Sequence, residues 1–178
     1  MPLQYTPMKI LASLLLFSLL SACTTVSERT ENWIYSQYIP KSWTLEGRLS
    51  VSVDADTETA DFALNRQGKY HQLTLTGAFG FGQMQVKQTA HGLLVDDTLT
   101  GQTLQEWMSA ELGWIFPVEK LERLVFKHNL ENTENWQVSM SKYQVIHGIA
   151  YPKIVRFKNT TKAIKIKLLL REVNRGSL

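Results

Sequence analysis

Few side chains in this sequence are spaced for catalysis or metal binding. The four histidines, His71, His91, His128 and His147, stand singly in expected turns or at element ends, with no second ligand at metal-site spacing. Ser139-x-x-Lys142 has the spacing of a serine-hydrolase dyad. That pair works from the start of a helix, whereas here it lies in an alternating segment that would put the two side chains on opposite faces of a strand. Asp54-Ala55-Asp56-Thr57-Glu58 begins like a calcium loop, but Thr59 stands where the required glycine belongs and Asn65 where the bidentate glutamate belongs. A polar hairpin turn accounts for it better. There is no Walker loop, dinucleotide fingerprint or nucleic-acid module. The expectation is a protein that is not an enzyme, holds no metal or cofactor and binds no nucleic acid.

One residue is placed for covalent chemistry. Cys23 is the single cysteine, so it cannot form an internal disulfide. It follows Met8-Lys9 and an unbroken apolar run of 11 residues, Ile10 to Leu20. A bilayer span needs about 20 such residues, so this run reads as a cleavable export signal. Met1 to Pro7 is then either an extension of the signal or a product of an upstream start, with Met8 as the true one. The run passes into Leu20-Ser21-Ala22-Cys23. This resembles the bacterial lipobox, in which the cysteine receives S-diacylglycerol and N-acyl groups and becomes the mature N-terminus. The other reading is a buried free thiol. Three acyl chains, at about 0.8 kcal/mol per buried methylene, would make anchorage effectively permanent. Thr24, rather than Asp, comes next, and by the same resemblance the destination is the periplasmic face of the outer membrane.

The rest of the chain must supply the domain that this anchor holds. With 178 residues, 44% hydrophobic and 20% charged, there is material for one sizeable core, which excludes a disordered or disulfide-stapled protein. The organisation expected is a signal peptide over 1–22, a lipidated polar tether over 23–32 and one domain over 33–178. Trp33 to Pro40 reads as a short helix with Trp33, Ile34, Gln37 and Tyr38 on one side. Trp43 to Val53 alternates apolar and polar residues, interrupted only at Gly47, as a strand with one buried face does. Thr59–Arg66 and Tyr70–Thr76 flank the turn Gln67-Gly68-Lys69 as a hairpin. Gln83–Gln88, Gly92–Val95, Trp136–Ser141, Ile154–Lys158 and Ala163–Arg171 are further strands, the last with Lys165 and Lys167 facing water. In the middle, Thr103 caps a helix to Leu112, with Glu106 completing a capping box and Gly113 ending it. Pro117 opens a second helix, Val118–Lys127, with Val118, Leu121, Leu124 and Val125 along one stripe.

Order and spacing together resemble the LolB family of outer-membrane lipoprotein receptors. The likeness rests on the lipobox, on Trp43-x-Leu-x-Gly-Arg48 and on Leu73-Thr-Leu-Thr-Gly-Ala-Phe-Gly80. It continues through Gly113-Trp-Ile-Phe-Pro117-Val-x-x-Leu121, Pro152-x-Ile-Val-x-Phe157 and Ile164-Lys-Ile-Lys167. The resemblance implies a mainly β fold, a strongly curved, incomplete antiparallel barrel of about ten or eleven strands covered by about three short helices, as in LolA and LolB. It implies a monomer that accepts lipoproteins from the soluble periplasmic carrier LolA, holds their acyl chains in an apolar cavity and inserts them among outer-membrane phospholipids.

Acyl chains offer only methylenes, so a receptor for them needs an apolar lining without catalytic groups. Trp43, Trp107, Met108, Trp114, Ile115 and Phe116 are the candidates, although aromatic stripes at such spacings also build ordinary cores. Phe79 and Phe81 lie among the glycines of Gly77-Ala78-Phe79-Gly80-Phe81-Gly82, where a turn ordinarily exposes polar residues. In the LolB family this loop presents an apolar residue to the bilayer. Phe79 takes that position here, Ala78-Phe79 standing where the family more often has Pro and Leu, so Phe81 can share the role. Eight Lys/Arg against one acid over residues 151–178 leave a basic face able to meet an acidic carrier or phospholipid headgroups, or simply solvent. The competing function is a structural lipoprotein, a tethered scaffold without an acyl cavity.

Overall fold

The computed structural model describes residues 32–77, 82–131 and 135–176, so Cys23, Phe79 and Phe81 lie outside the described residues. Residues Trp33–Leu178 form one compact unit. Its frame is a single antiparallel sheet of nine strands: β1 (Ser42–Val53), β2 (Asp56–Gln67), β3 (Tyr70–Thr76), β4 (Gln83–Thr89), β5 (Gly92–Val95), β6 (Thr98–Leu99), β7 (Trp136–Ile146), β8 (Ile149–Asn159) and β9 (Ile164–Arg175). The spatial order is β6-β5-β4-β3-β2-β1-β9-β8-β7, and the two end strands do not pair with each other. The sheet is therefore an incomplete barrel, with nine strands among the described residues where the sequence suggested ten or eleven.

Alternation decides which face is buried. In β9, Ile164, Ile166, Leu168 and Leu170 are buried while Lys165, Lys167 and Arg171 are exposed. The same parity carries Trp43, Leu45 and Val51 of β1 and Phe62 and Leu64 of β2 into the core. The Asp54 segment that resembled a calcium loop is the β1–β2 hairpin, with Asp54 at φ 53° and Val53 paired with Asp56. Ser139 and Lys142 both lie within β7.

Two meanders, β1–β6 and β7–β9, are joined only through β1 and β9, and there the register slips by one. Glu46 faces Glu172 while Gly47 faces Leu170, leaving Arg171 as the extra residue of a bulge. Gly47 has no room for a side chain, since a Cβ there would overlap the Leu169 carbonyl oxygen. The interruption of the β1 pattern at Gly47 thus marks a close approach of two backbones.

Between β6 and β7 the chain makes two helices among the described residues. The first, α1, runs Leu104–Trp107 and continues as a π-helical turn over Met108–Leu112. Its capping box forms as the sequence predicts: the Glu106 amide donates to Thr103 Oγ1 at 3.2 Å, and the Thr103 amide to Glu106 Oε2 at 2.7 Å. Gly113 ends it at φ 72°. The second, α2, spans Val118–Lys127 and buries Leu121, Leu124 and Phe126 completely.

The helix expected over Trp33–Pro40 is absent. This segment is an irregular strap: the Ala150 amide donates to the Ile34 carbonyl at 2.8 Å, Tyr35 stacks on His128 with ring centroids 4.0 Å apart, and the Arg175 guanidinium lies 4.5 Å from the Tyr38 ring centroid. A helix of under two or three turns is marginal alone, and aromatic partners on separate elements outweigh its few internal hydrogen bonds.

Gly47→Ala is expected to cost about 1–3 kcal/mol, because the obstructing atom is backbone and cannot rotate away. A lowered urea midpoint would show it, and an unchanged midpoint would mean that the bulge tolerates a methyl group.

Candidate functional site

The concave face of the sheet carries more apolar surface than α2 covers. Two clusters fill it: a main core under α2, and a smaller one in which Trp107 and Met108 of α1 pack against Val86 and Leu93. Leu112 and Phe116 touch both clusters. At their seam lies an apolar cavity of about 50 Å³. Strand residues Leu49, Phe62, Leu64, Leu73, Leu75, Val86 and Leu168 form its floor, and Leu104, Trp107, Met108, Leu112, Trp114, Phe116, Val118 and Leu121 form its roof. Trp114 and Phe116 meet edge to face at 6.3 Å, and Phe116 meets Phe157 likewise at 5.5 Å.

Of the six sequence candidates for a cavity lining, Trp107, Met108, Trp114 and Phe116 border this space. Trp43 does not. It is 1% exposed and packs beneath α2 against Phe126, with 5.4 Å between ring centroids, as part of the main core. Ile115 is 45% exposed, because Trp114 and Phe116 turn inward on either side of it in the short link between the helices. The strand residues of the floor were legible only as core, since alternation shows that a face is buried and not what it faces.

Polar groups enter the lining at His71 and Gln88. The strand register aligns Arg66 with His71, and the His71 amide and Nδ1 lie 3.3 and 3.2 Å from Gln88 Oε1. From α2, Glu122 reaches down with only 5% of its side chain exposed. It accepts from Arg66 Nη1 at 2.8 Å through Oε2, while Oε1 lies 2.8 Å from His71 Nε2. Arg66 also donates from Nε to the Gly68 carbonyl at 2.7 Å. The partner of His71 Nε2 is thus a carboxylate 51 positions away on a helix, a pairing that no local pattern signals. The cluster pins the C-terminal half of the roof to the sheet. The other half, α1, is held by apolar packing.

Nothing in this arrangement activates a nucleophile, and the cavity offers an apolar guest no more than contact. A pocket of about 150 Å³ is needed to hold benzene, and one water's share of liquid is about 30 Å³. At about 50 Å³ the space is therefore nearly closed. A guest chain must displace its roof, and α1, with its π-turn and its small separate cluster, is the part least tied down.

The sequence is similar to that of known proteins. Residues 41–126 match the family model described as "Outer membrane lipoprotein LolB". A protein of Francisella tularensis subsp. tularensis (strain SCHU S4 / Schu 4) named "Outer-membrane lipoprotein LolB" is 23% identical over 190 residues, covering 91% of each chain. Proteins of the same name are 23% identical over 193 residues in Francisella tularensis subsp. novicida (strain U112) and 22% identical over 139 in Marinomonas sp. (strain MWYL1). The last covers 66% of this chain and 72% of the relative.

Glu122→Gln is expected to destabilise the domain by about 2–3 kcal/mol, below the full cost of breaking a buried pair because Arg66 keeps partial access to water. Urea unfolding measures this. Replacing His71 and Glu122 together with apolar residues is expected to recover part of the loss, and a double variant as unstable as the sum of its singles would contradict the coupling.

Proposed function

From this likeness we propose that the chain is a member of the LolB family, an outer-membrane receptor that takes lipoproteins from the periplasmic carrier LolA and inserts them into the membrane. LolB proteins are lipoproteins named for the outer membrane rather than members of an enzyme family. Among the described residues no helix is long and apolar enough to cross a membrane. The proposed attachment is the acylated Cys23, with residues 1–22 removed and residues 23–32 as the tether.

The observation that carries the reading is the apolar seam between sheet and α1. Its lining takes a hydrocarbon chain without stranding a buried polar group, and each methylene withdrawn from water contributes about 0.8 kcal/mol toward lifting the roof. His71 and Gln88 mark the one polar border of the space, suited to the ester end of an acyl group. Phe79, with Phe81 beside it, is proposed as the element that enters the bilayer at delivery. The scaffold reading draws on one observation, the small volume of the cavity at rest.

Receptor and scaffold differ in probe uptake. The chain beginning at residue 23 with Cys23→Ala is expected to bind a fluorescent fatty acid, to accept a lipoprotein from purified carrier and to pass it to liposomes. Trp114→Asp is expected to weaken probe binding at least tenfold, a loss of about 1.4 kcal/mol or more. Leu104→Gln, at the cavity margin, provides a milder second variant whose folding circular dichroism can verify. A wild-type chain that binds no probe and accepts no lipoprotein would be a scaffold.

Delivery separates from binding at the loop. Phe79→Glu is expected to leave lipoprotein acceptance intact while slowing transfer to liposomes at least tenfold, since a carboxylate does not enter hydrocarbon. Normal delivery by this variant would remove Phe79 from the mechanism.

A further inference from the structure

Four arginines of the domain are held by an acid or by the N-terminal strap. Arg48 and Arg171 converge on Asp61 at 3.0 and 3.3 Å, Arg66 is held by Glu122, and Arg175 by Ser36 and Tyr38. Four cations on the outer face of β8 and β9 have no such acid. The register sets Lys167 opposite Arg156 and Lys165 opposite Lys158, a block of two like-charged cross-strand pairs. All four side chains are exposed, and among the described residues none has an acid within ion-pair distance; Arg156 donates only to Ser141 Oγ at 2.8 Å. Like charges directly opposite on a sheet repel and destabilise it.

What surrounds the block is neutral and able to hydrogen bond. Ser50 and Ser52 of β1 stand opposite Lys167 and Lys165, and Ser139 and Gln137 of β7 stand opposite Arg156 and Lys158. Together these residues line an open groove of about 680 Å³. Beside it a second hollow adds Lys162 and one acid, Asp54.

We propose that this groove is a docking surface for anionic phospholipid headgroups, separate from the cavity and from the loop that carries Phe79. Cations at strand spacing, about 5 Å across and 7 Å along the sheet, present several charges to several phosphates at once while serine and glutamine complete the hydrogen bonds. The occupant follows from position. The block lies toward the end of the sheet where β1 turns into β2 and β3 passes into β4, through the pairs Val53↔Asp56 and Thr76↔Gln83.

The inference rests on the proposed anchor in one respect, that the tether keeps this face near a bilayer. The N-terminal strap joins the sheet at Ala150. From there to Lys158 is about 26 Å along β8. Eleven residues separate Cys23 from Ile34 and reach at most about 40 Å. The anchor and the groove can therefore meet one membrane surface together, and the tether raises the headgroup concentration that the groove experiences.

The test uses the chain beginning at residue 23 with Cys23→Ala, floated with vesicles of phosphatidylethanolamine and phosphatidylglycerol or with uncharged vesicles of phosphatidylethanolamine and phosphatidylcholine. Binding to the anionic vesicles is expected to exceed binding to the neutral ones and to fall as salt rises. Each cation near an anionic surface contributes about fivefold, so Lys165→Gln with Lys167→Gln should weaken binding about 25-fold. The matched pair Lys41→Gln with Lys69→Gln, at the other end of the sheet, should leave it unchanged. Equal binding of the Lys165/Lys167 variant and the wild type, or no preference for anionic vesicles, overturns the proposal. So does loss of an acidic carrier protein by that variant while vesicle binding stands, which would assign the groove to a protein partner. Fatty-acid probe uptake on the same proteins keeps the two readings apart. Normal uptake without vesicle preference sinks only the groove, and charge-dependent vesicle binding without uptake sinks only the receptor.

Discussion

The pairing of β1 with β9 is the interaction on which the rest of the fold depends. It aligns Trp43 with Arg175 across nearly the whole length of the domain and merges two meanders that would otherwise each end in an exposed edge. Loop-closure entropy rises only slowly with length, so the long separation is not the obstacle. The obstacle is steric. At the bulge the two backbones approach too closely for β1 to carry a side chain, so Gly47 stands there, and Arg171 is the extra residue. The same bulge sends the Arg171 side chain toward Asp61, where it shares that carboxylate with Arg48. The hydrogen bond from Arg48 is the main reason the Asp61 carboxyl is held below its ordinary range.

An open sheet with one apolar face leaves a choice of what covers that face, and here two unlike helices do. The second helix is amphipathic in the ordinary way and completes the main core. The first is short, changes to a π-turn at Met108 and packs on β4 and β5 through a handful of residues. Unequal cover is what makes a seam, and the cavity lies at the seam. A uniformly packed cover would have given a filled core, and the Glu122 cluster explains why opening on the side of the second helix would be costly whereas the first has no comparable clasp.

Local pattern made much of this legible. Alternation placed the strands, with β9 the clearest, and the capping box at Thr103 and the apolar stripe beginning at Val118 placed both central helices. The pattern misled where tertiary partners compete with local preference. Trp33 to Pro40 has helical spacing, yet its aromatic rings are taken by His128, Tyr143 and Arg175 from three separate elements. Trp43 and Ile115 show the limit for the site: both are large and apolar, and nothing in their neighbours' identities says that one lies beneath the second helix and the other faces water.

The order of residues alone carries the chemical classes: no constellation spaced for catalysis, a single cysteine behind an apolar run, strands with one apolar face, and a basic stretch over residues 151–178. These are properties of single residues and of short periods, which local sterics and solvation dictate. The folded chain settles which apolar residues enclose space and which fill it, that His71 meets Glu122, and that four cations stand together with no acid within ion-pair distance among the described residues. Each of these depends on strand register and on where the helices settle. Those are set by long-range packing, in which residues far apart in the chain come within a few ångströms.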